Sequence, residues 1–195
     1  TRVAALQFGP VGQKLIHQSL RAFQGDDFAS DRVGRVRQPD AFEAVERGLS
    51  GAIVLLRESG IPHIKLLPYQ FALVILAAFF GHHPTPKPRT RELLSRWVWR
   101  GAVSGQHSGK DLNWLRVMVR SVSRPEDEAI RAMLEHTEKP RVPEKWDLQA
   151  ARFDMRTARS RVEALFLVSR LGSHSGVHLE VSLALSRRVA PLLDR

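Results

Sequence analysis

The chain has 195 residues, 43% of them hydrophobic, and its 30 Lys and Arg outnumber 20 Asp and Glu to give a formal net charge of +10 at pH 7. That apolar content fills a core and excludes wholesale disorder, and the length fits one domain or one domain plus an appendage. The absence of cysteine excludes disulfides, thiolate zinc sites and cysteine nucleophiles, and fits a reducing cytoplasm. No charged segment followed by an apolar one opens the chain, so no signal peptide is expected. A start at Thr1 rather than Met is read as a piece of a longer protein.

Val11, Leu15, Ile16, Leu20 and Phe23 recur at helical spacing and predict an amphipathic helix over 11–24, with Gly9-Pro10 before it and Gly25 after it. Residues 25–39, with Asp26, Asp27 and Asp31 among arginines and glycines, read as a loop. From about residue 40, Phe42, Val45, Leu49, Ile53 and Leu56 form the buried face of a second helix. Gly48 and Gly51 either weaken it, by about 1 kcal/mol each relative to alanine, or admit a neighbouring helix closely. Gly60-Ile61-Pro62 ends it.

Pro68 suits the first turn of a third helix. From Tyr69 to Phe80 nearly every residue is apolar. Such a helix must be buried, and it falls short of the roughly 20 residues a bilayer requires. It is expected at the centre of the bundle. The prolines of 81–88 break it, and Thr90 is expected to cap the next helix, which carries Leu93, Leu94, Trp97 and Val98. Residues 101–109 read as a Gly/Ser connection. Leu112, Leu115, Val119 and Val122 mark another helix. Pro125-Glu126-Asp127-Glu128 opens the next, with carboxylates in its first turn and Ile130, Met133 and Leu134 buried. A linker over 139–147 leads to a last long helix over 148–171, with Gly172 as its stop. In the tail, Val177, Leu179, Val181, Leu183 and Leu185 alternate as in a strand, while Leu179, Leu183 and Val189 also fit a helix.

No catalytic constellation emerges. The adjacent pair His82-His83 could carry a metal, but prolines follow at once and no third ligand is suitably spaced, so a structural role is expected. His174 and His178 stand at i, i+4, yet Gly176 between them argues against the helix such a metal site needs. Gly101, Gly105 and Gly109 before Lys110 lack the spacing of a phosphate-binding P-loop and the strand that precedes one. Trp97 and Trp99, between Arg96 and Arg100, could stack bases; packing in the core is the expected role.

The charge offers more. Arg152, Arg156 and Arg159 fall on one face of the expected last helix, to which Arg170 returns further on, with Glu163 in the same stripe, and Arg116 and Arg120 form an i, i+4 pair. Such stripes can follow a phosphate backbone or be plain solvated faces.

The stretch Leu66-Leu67-Pro68-Tyr69, the apolar run to Phe79-Phe80, and then Arg96-Trp97-Val98-Trp99-Arg100 and Ser104-Gly105 together resemble the middle helical part of GmrSD-type proteins, bacterial modification-dependent restriction proteins. The resemblance is densest over 52–115. In that family a ParB-like domain handles nucleotide and an HNH-type domain cuts DNA. This chain has neither the family's Asp-Gly-Gln-Gln-Arg run nor an HNH pattern, so no catalytic residue carries over. The resemblance implies a helical spacer or DNA-proximal domain between the catalytic domains of a parent protein.

The expectation is therefore an all-α fold: an irregular bundle of about seven helices in one domain over 1–195, packed around a buried central helix, with a strand or helix near its C-terminus and a sub-boundary at 139–147. The expected function is a non-catalytic helical domain of a cytoplasmic DNA-defence nuclease. Its partners would be DNA, through Arg116, Arg120, Arg152, Arg156 and Arg159, and the parent's catalytic domains. No cofactor, metal or membrane contact is expected. The alternative is a protein-interaction or oligomerisation module.

Overall fold

The structure is a computed structural model and describes residues 6–26, 40–108, 111–137 and 154–175, with side chains of the last helix described through residue 167. Seven α-helices occur in this span: α1 (Gln13–Gln24), α2 (Ala41–Glu58), α3 (Gln70–His82), α4 (Pro88–Ser104), α5 (Leu112–Val122), α6 (Glu126–Glu135) and α7 (Ala158–Ser175). Short 3-10 turns lie at Ile64–Leu66 and Gln106–Ser108. Among the described residues there is no strand, so the fold is all-α. The alternating tail over 177–185, the linker over 139–147 and His178 lie outside the described residues, as do the side chains of Arg170 and His174.

Helix α3 organises the rest. All nine residues from Ala72 to Phe80 are buried, and each large apolar side chain among them contributes about 1.5–3 kcal/mol of burial. Val74 and Leu76 are fully enclosed. Helices α1, α2 and α5 pack on α3, and α6 closes over α4 and α5. The closest pairing is α2 with α3, and two glycines of α2 permit it. A Cβ on Gly48 would meet the main-chain oxygen of Ala77, and one on Gly51 would stand 2.7 Å from the Phe80 ring. Gly48 and Gly51 thus serve close approach, one of the two roles the sequence left open.

Several helix boundaries differ from expectation, each for a local reason. Helix α3 starts at Gln70 behind an extended Tyr69, so Pro68 precedes the helix rather than entering its first turn. It also runs on through Gly81 and His82, because the chain breaks only at Pro84. Helix α4 begins with Pro88 at its first position, where the missing N–H is harmless. Thr90 is therefore not its cap; its hydroxyl donates to Glu126 Oε1 instead. Helix α4 then continues through Gly101 to Ser104 and ends at Gly105 in the left-handed conformation (φ 81°).

Phe42, expected in the core, is 58% exposed. It sits in the first turn of α2, on the flank of an arc whose buried positions include Ala41, Ala44, Val45 and Gly48.

The largest correction concerns the last helix, which starts at Ala158, not near 148. Thr157 Oγ1 accepts the Ser160 N–H at 3.2 Å, and Asp154 Oδ1 accepts the Arg156 N–H at 2.9 Å. These side chains tie 154–157 into a turn and cap the helix that follows. Gly172 does not stop α7, which runs to Ser175.

Candidate nucleic-acid interface

Arg116 and Arg120 lie one turn apart on α5, away from the face that buries Trp114, Leu115, Met118, Val119 and Val122. Asn113 shares their side and accepts from Arg116 Nη1 at 3.3 Å. Arg124 is exposed just beyond the helix end. From Leu112 to Pro125 the chain contains no carboxylate. The carboxylates that flank this stretch are engaged locally. Asp111 caps α5 by accepting the N–H groups of Asn113 and Trp114 at 2.9 and 3.0 Å. Glu126 accepts from the Lys87 N–H at 2.9 Å and from Thr90, and Asp127 from Lys87 Nζ at 2.8 Å. The stretch of about three turns from Leu112 to Pro125 thus carries Arg116, Arg120 and Arg124 and no carboxylate of its own.

The arginines near α7 are arranged otherwise. Arg156 is on the turn before the helix and not on its face, so it forms no stripe with Arg159. Its guanidinium Nη2 is 3.0 Å from Asp154 Oδ2. The hydrogen bond holds the Asp154 carboxyl below, and the Arg156 guanidinium above, their usual ranges. Arg159 Nε donates to Glu163 Oε1 at 2.8 Å. Arg152 lies outside the described residues. The sequence had placed the three on one helix face; the turn at 154–157 separates at least Arg156 from it.

The histidines and tryptophans have structural placements. His82 stacks on Phe23 with ring centroids 4.4 Å apart and donates from Nε2 to the Phe23 carbonyl at 3.0 Å. Burial is the main influence on this imidazole and lowers its pKa. His83 donates from Nε2 to the Val122 carbonyl at 3.1 Å. Trp97 is fully buried, and Trp99 donates its indole N–H to the Ser59 carbonyl at 3.0 Å. Trp97 is thereby closed to base stacking, and Trp99 is half-buried against the core. Among the described residues no group of three or more His, Asp and Glu is placed to hold a metal ion. No described helix is long and apolar enough to cross a membrane.

Two features escaped the sequence reading. His107 is wholly buried between Trp97 and Trp114, at centroid distances of 4.2 and 5.4 Å. Gly101 makes the room, since a Cβ there would meet the His107 ring. Burial pushes this imidazole down to about 3. The second is Arg161, which donates from Nε to the Met155 carbonyl at 2.8 Å and from Nη1 to the Leu67 carbonyl at 3.1 Å. It fastens the start of α7 to the segment before α3, across 94 positions of sequence. No periodicity signals such a contact. No family model, curated protein or solved structure matches the chain.

Proposed function

We propose that the chain is a non-catalytic helical domain that lies against DNA in a cytoplasmic bacterial defence nuclease, with the cationic edge of α5 on the phosphate backbone. The observation that carries this reading is the run from Leu112 to Pro125, which puts Arg116, Arg120 and Arg124 near one another with no carboxylate among them. A net charge of +10 adds long-range attraction for a polyanion. The edge holds phosphate-binding groups and no exposed aromatic platform, so it suits duplex backbone contact without base readout. The resemblance of Leu66–Gly105 to the middle helical part of GmrSD-type proteins supports the narrower placement, in which catalysis belongs to other domains of the parent.

The test is fluorescence anisotropy of labelled duplexes of unrelated sequence at increasing salt. The reading expects weak binding that is equal for all sequences and collapses between about 50 and 200 mM salt. An open reading frame of the parent encoding an Asp-Gly-Gln-Gln-Arg or HNH segment would add the family placement.

A protein-interaction module is the second reading. Phe42 at 58%, Leu112 at 44% and Leu167 at 40% exposure favour it. Binding indifferent to salt, or none, together with concentration-dependent self-association would select it.

A further inference from the structure

The 3-10 turn Gln106–Ser108 carries a titratable ring into the core. His107 is 1% exposed, and its ring centroid lies 4.2 Å from that of Trp97 on α4 and 5.4 Å from that of Trp114 on α5, tilted 42° to both. The two indoles are themselves nearly parallel, with centroids 6.4 Å apart. Among the described residues neither nitrogen of His107 has a hydrogen-bond partner. A neutral imidazole bears this at the cost of unmade bonds. An imidazolium does not, because its charge would leave water with no acceptor for either N–H.

The surroundings supply no compensating charge among the described residues. Helix α3, which packs on the turn, is apolar throughout from Ala72 to Phe80. On α4, Arg96 is exposed and Arg100 half-buried, both off the buried face of the helix. On α5, Asp111 is engaged as the cap, and Arg116 lies away from the buried face. His136, whose carbonyl takes the Trp114 indole N–H, has its own ring bonded to the Ala132 carbonyl. The Tyr69 phenol oxygen is 3.5 Å from the place a Gly105 Cβ would take. Burial is the cause of the lowered His107 pKa, and none of these groups offsets it.

The turn can leave without taking the bundle with it. Gly105, in the left-handed conformation (φ 81°), ends α4 just before it, and Asp111 caps α5 just after it. The Ser108 N–H bonds to the Gly105 carbonyl at 3.1 Å, inside the same turn. Helices α4 and α5 are joined through α6, which packs on both, and the Trp114 indole N–H is anchored on the His136 carbonyl at 3.0 Å. Expelling His107 hydrates its ring mainly at the loss of that ring's own packing, a smaller loss than unfolding the helices.

We propose that the turn 106–108 is an acid-released latch: protonated His107 leaves the core, swinging about Gly105, and uncovers the indoles of Trp97 and Trp114 while the helices stay assembled. The latch uses none of the arginines assigned to DNA, so it stands or falls apart from that reading.

The experiment is an NMR acid titration of the full chain from pH 7 down to about 3. It follows the His107 ring protons and the methyl groups of Leu73, Val74 and Ile75 on α3. At neutral pH the two indoles displace the His107 signals by their ring currents. As His107 charges, that displacement should vanish and the signals move to those of an exposed histidine, while the α3 methyl signals keep their native positions. The Trp97 indole N–H signal should move with the His107 ring in the unaltered chain and stay constant in His107→Leu. The proposal is overturned if the ring charges and keeps its displaced signals, which means the cation is accommodated in place. It is overturned equally if the α3 methyl signals lose their native positions together with the ring, or if the Trp97 signal moves alike in His107→Leu. Should that variant not fold, the titration of the unaltered chain decides alone.

Discussion

Glu163 is only 7% exposed on its side chain, and the residue that engages it, Arg159, is 75% exposed and one turn back on α7 at 2.8 Å. The pair joins an enclosed carboxylate to a surface cation. Arg159 therefore has a structural duty before any phosphate reaches it.

The first prediction follows from that pairing. Arg159→Ala leaves an almost enclosed carboxylate without its partner and should lower stability by about 1–3 kcal/mol in urea unfolding. Arg120→Ala, on an exposed face, should change it by less than about 0.5 kcal/mol. Equal losses would show that the Arg159–Glu163 pair contributes nothing special.

Gly48→Ala tests the packing of α2 on α3. Alanine raises helix propensity by about 1 kcal/mol. Here its Cβ would meet the Ala77 main-chain oxygen, which cannot turn aside as a side chain can. The net effect should be a loss of about 1–3 kcal/mol. Gly51→Ala, which meets the Phe80 ring at 2.7 Å, should lose less, because the ring can shift. A stabilised Gly48→Ala protein would contradict the close packing.

The buried imidazole makes stability depend on pH. His107 has its pKa depressed from 6.5 to about 3 by burial. Between those values the unfolded chain takes up a proton that the folded chain refuses. Stability should therefore fall as pH drops through this window and level off below about 3, with a total change on the order of a few kcal/mol. His82, depressed in the same direction, adds to the fall. Among the described residues neither nitrogen of His107 has a hydrogen-bond partner, nor does the buried indole N–H of Trp97. His107→Leu should then be neutral or stabilising at pH 7 and should lose less of its melting temperature between pH 7 and pH 4 than the unaltered chain. An unchanged pH dependence would place the acid sensitivity elsewhere.

Much of the fold was legible in the sequence, because apolar periodicity reports burial directly. Tyr69 to Phe80 announced a helix enclosed on all sides, and Leu15, Leu20 and Phe23 the buried face of α1. What escaped depends on side chains bonding to main chain. The turn at 154–157 is made by Asp154, Thr157 and Ser160, and periodicity had carried a helix straight through it. Glycines were ambiguous for a related reason. Gly101 reads as a helix breaker, yet it sits inside α4 because His107 fills the space its missing Cβ leaves. Of the candidate interface, the α5 pair was visible as i, i+4 spacing. The local engagement of Asp111, Glu126 and Asp127 was not, since it depends on caps and on contacts some forty positions apart.

The central claim is that α5, rather than the start of α7, meets DNA phosphate. The most direct measurement is the dependence of log affinity on log salt for duplex DNA with the unaltered chain, with Arg116→Glu/Arg120→Glu and with Arg156→Glu/Arg159→Glu. Each phosphate contact contributes about 0.9 to the slope. The α5 reversal should flatten the slope by roughly two and weaken binding for every sequence alike, whereas the α7 reversal should change it by less than about one. Equal effects from the two reversals, or no binding by the unaltered chain at about 50 mM salt, would contradict the account.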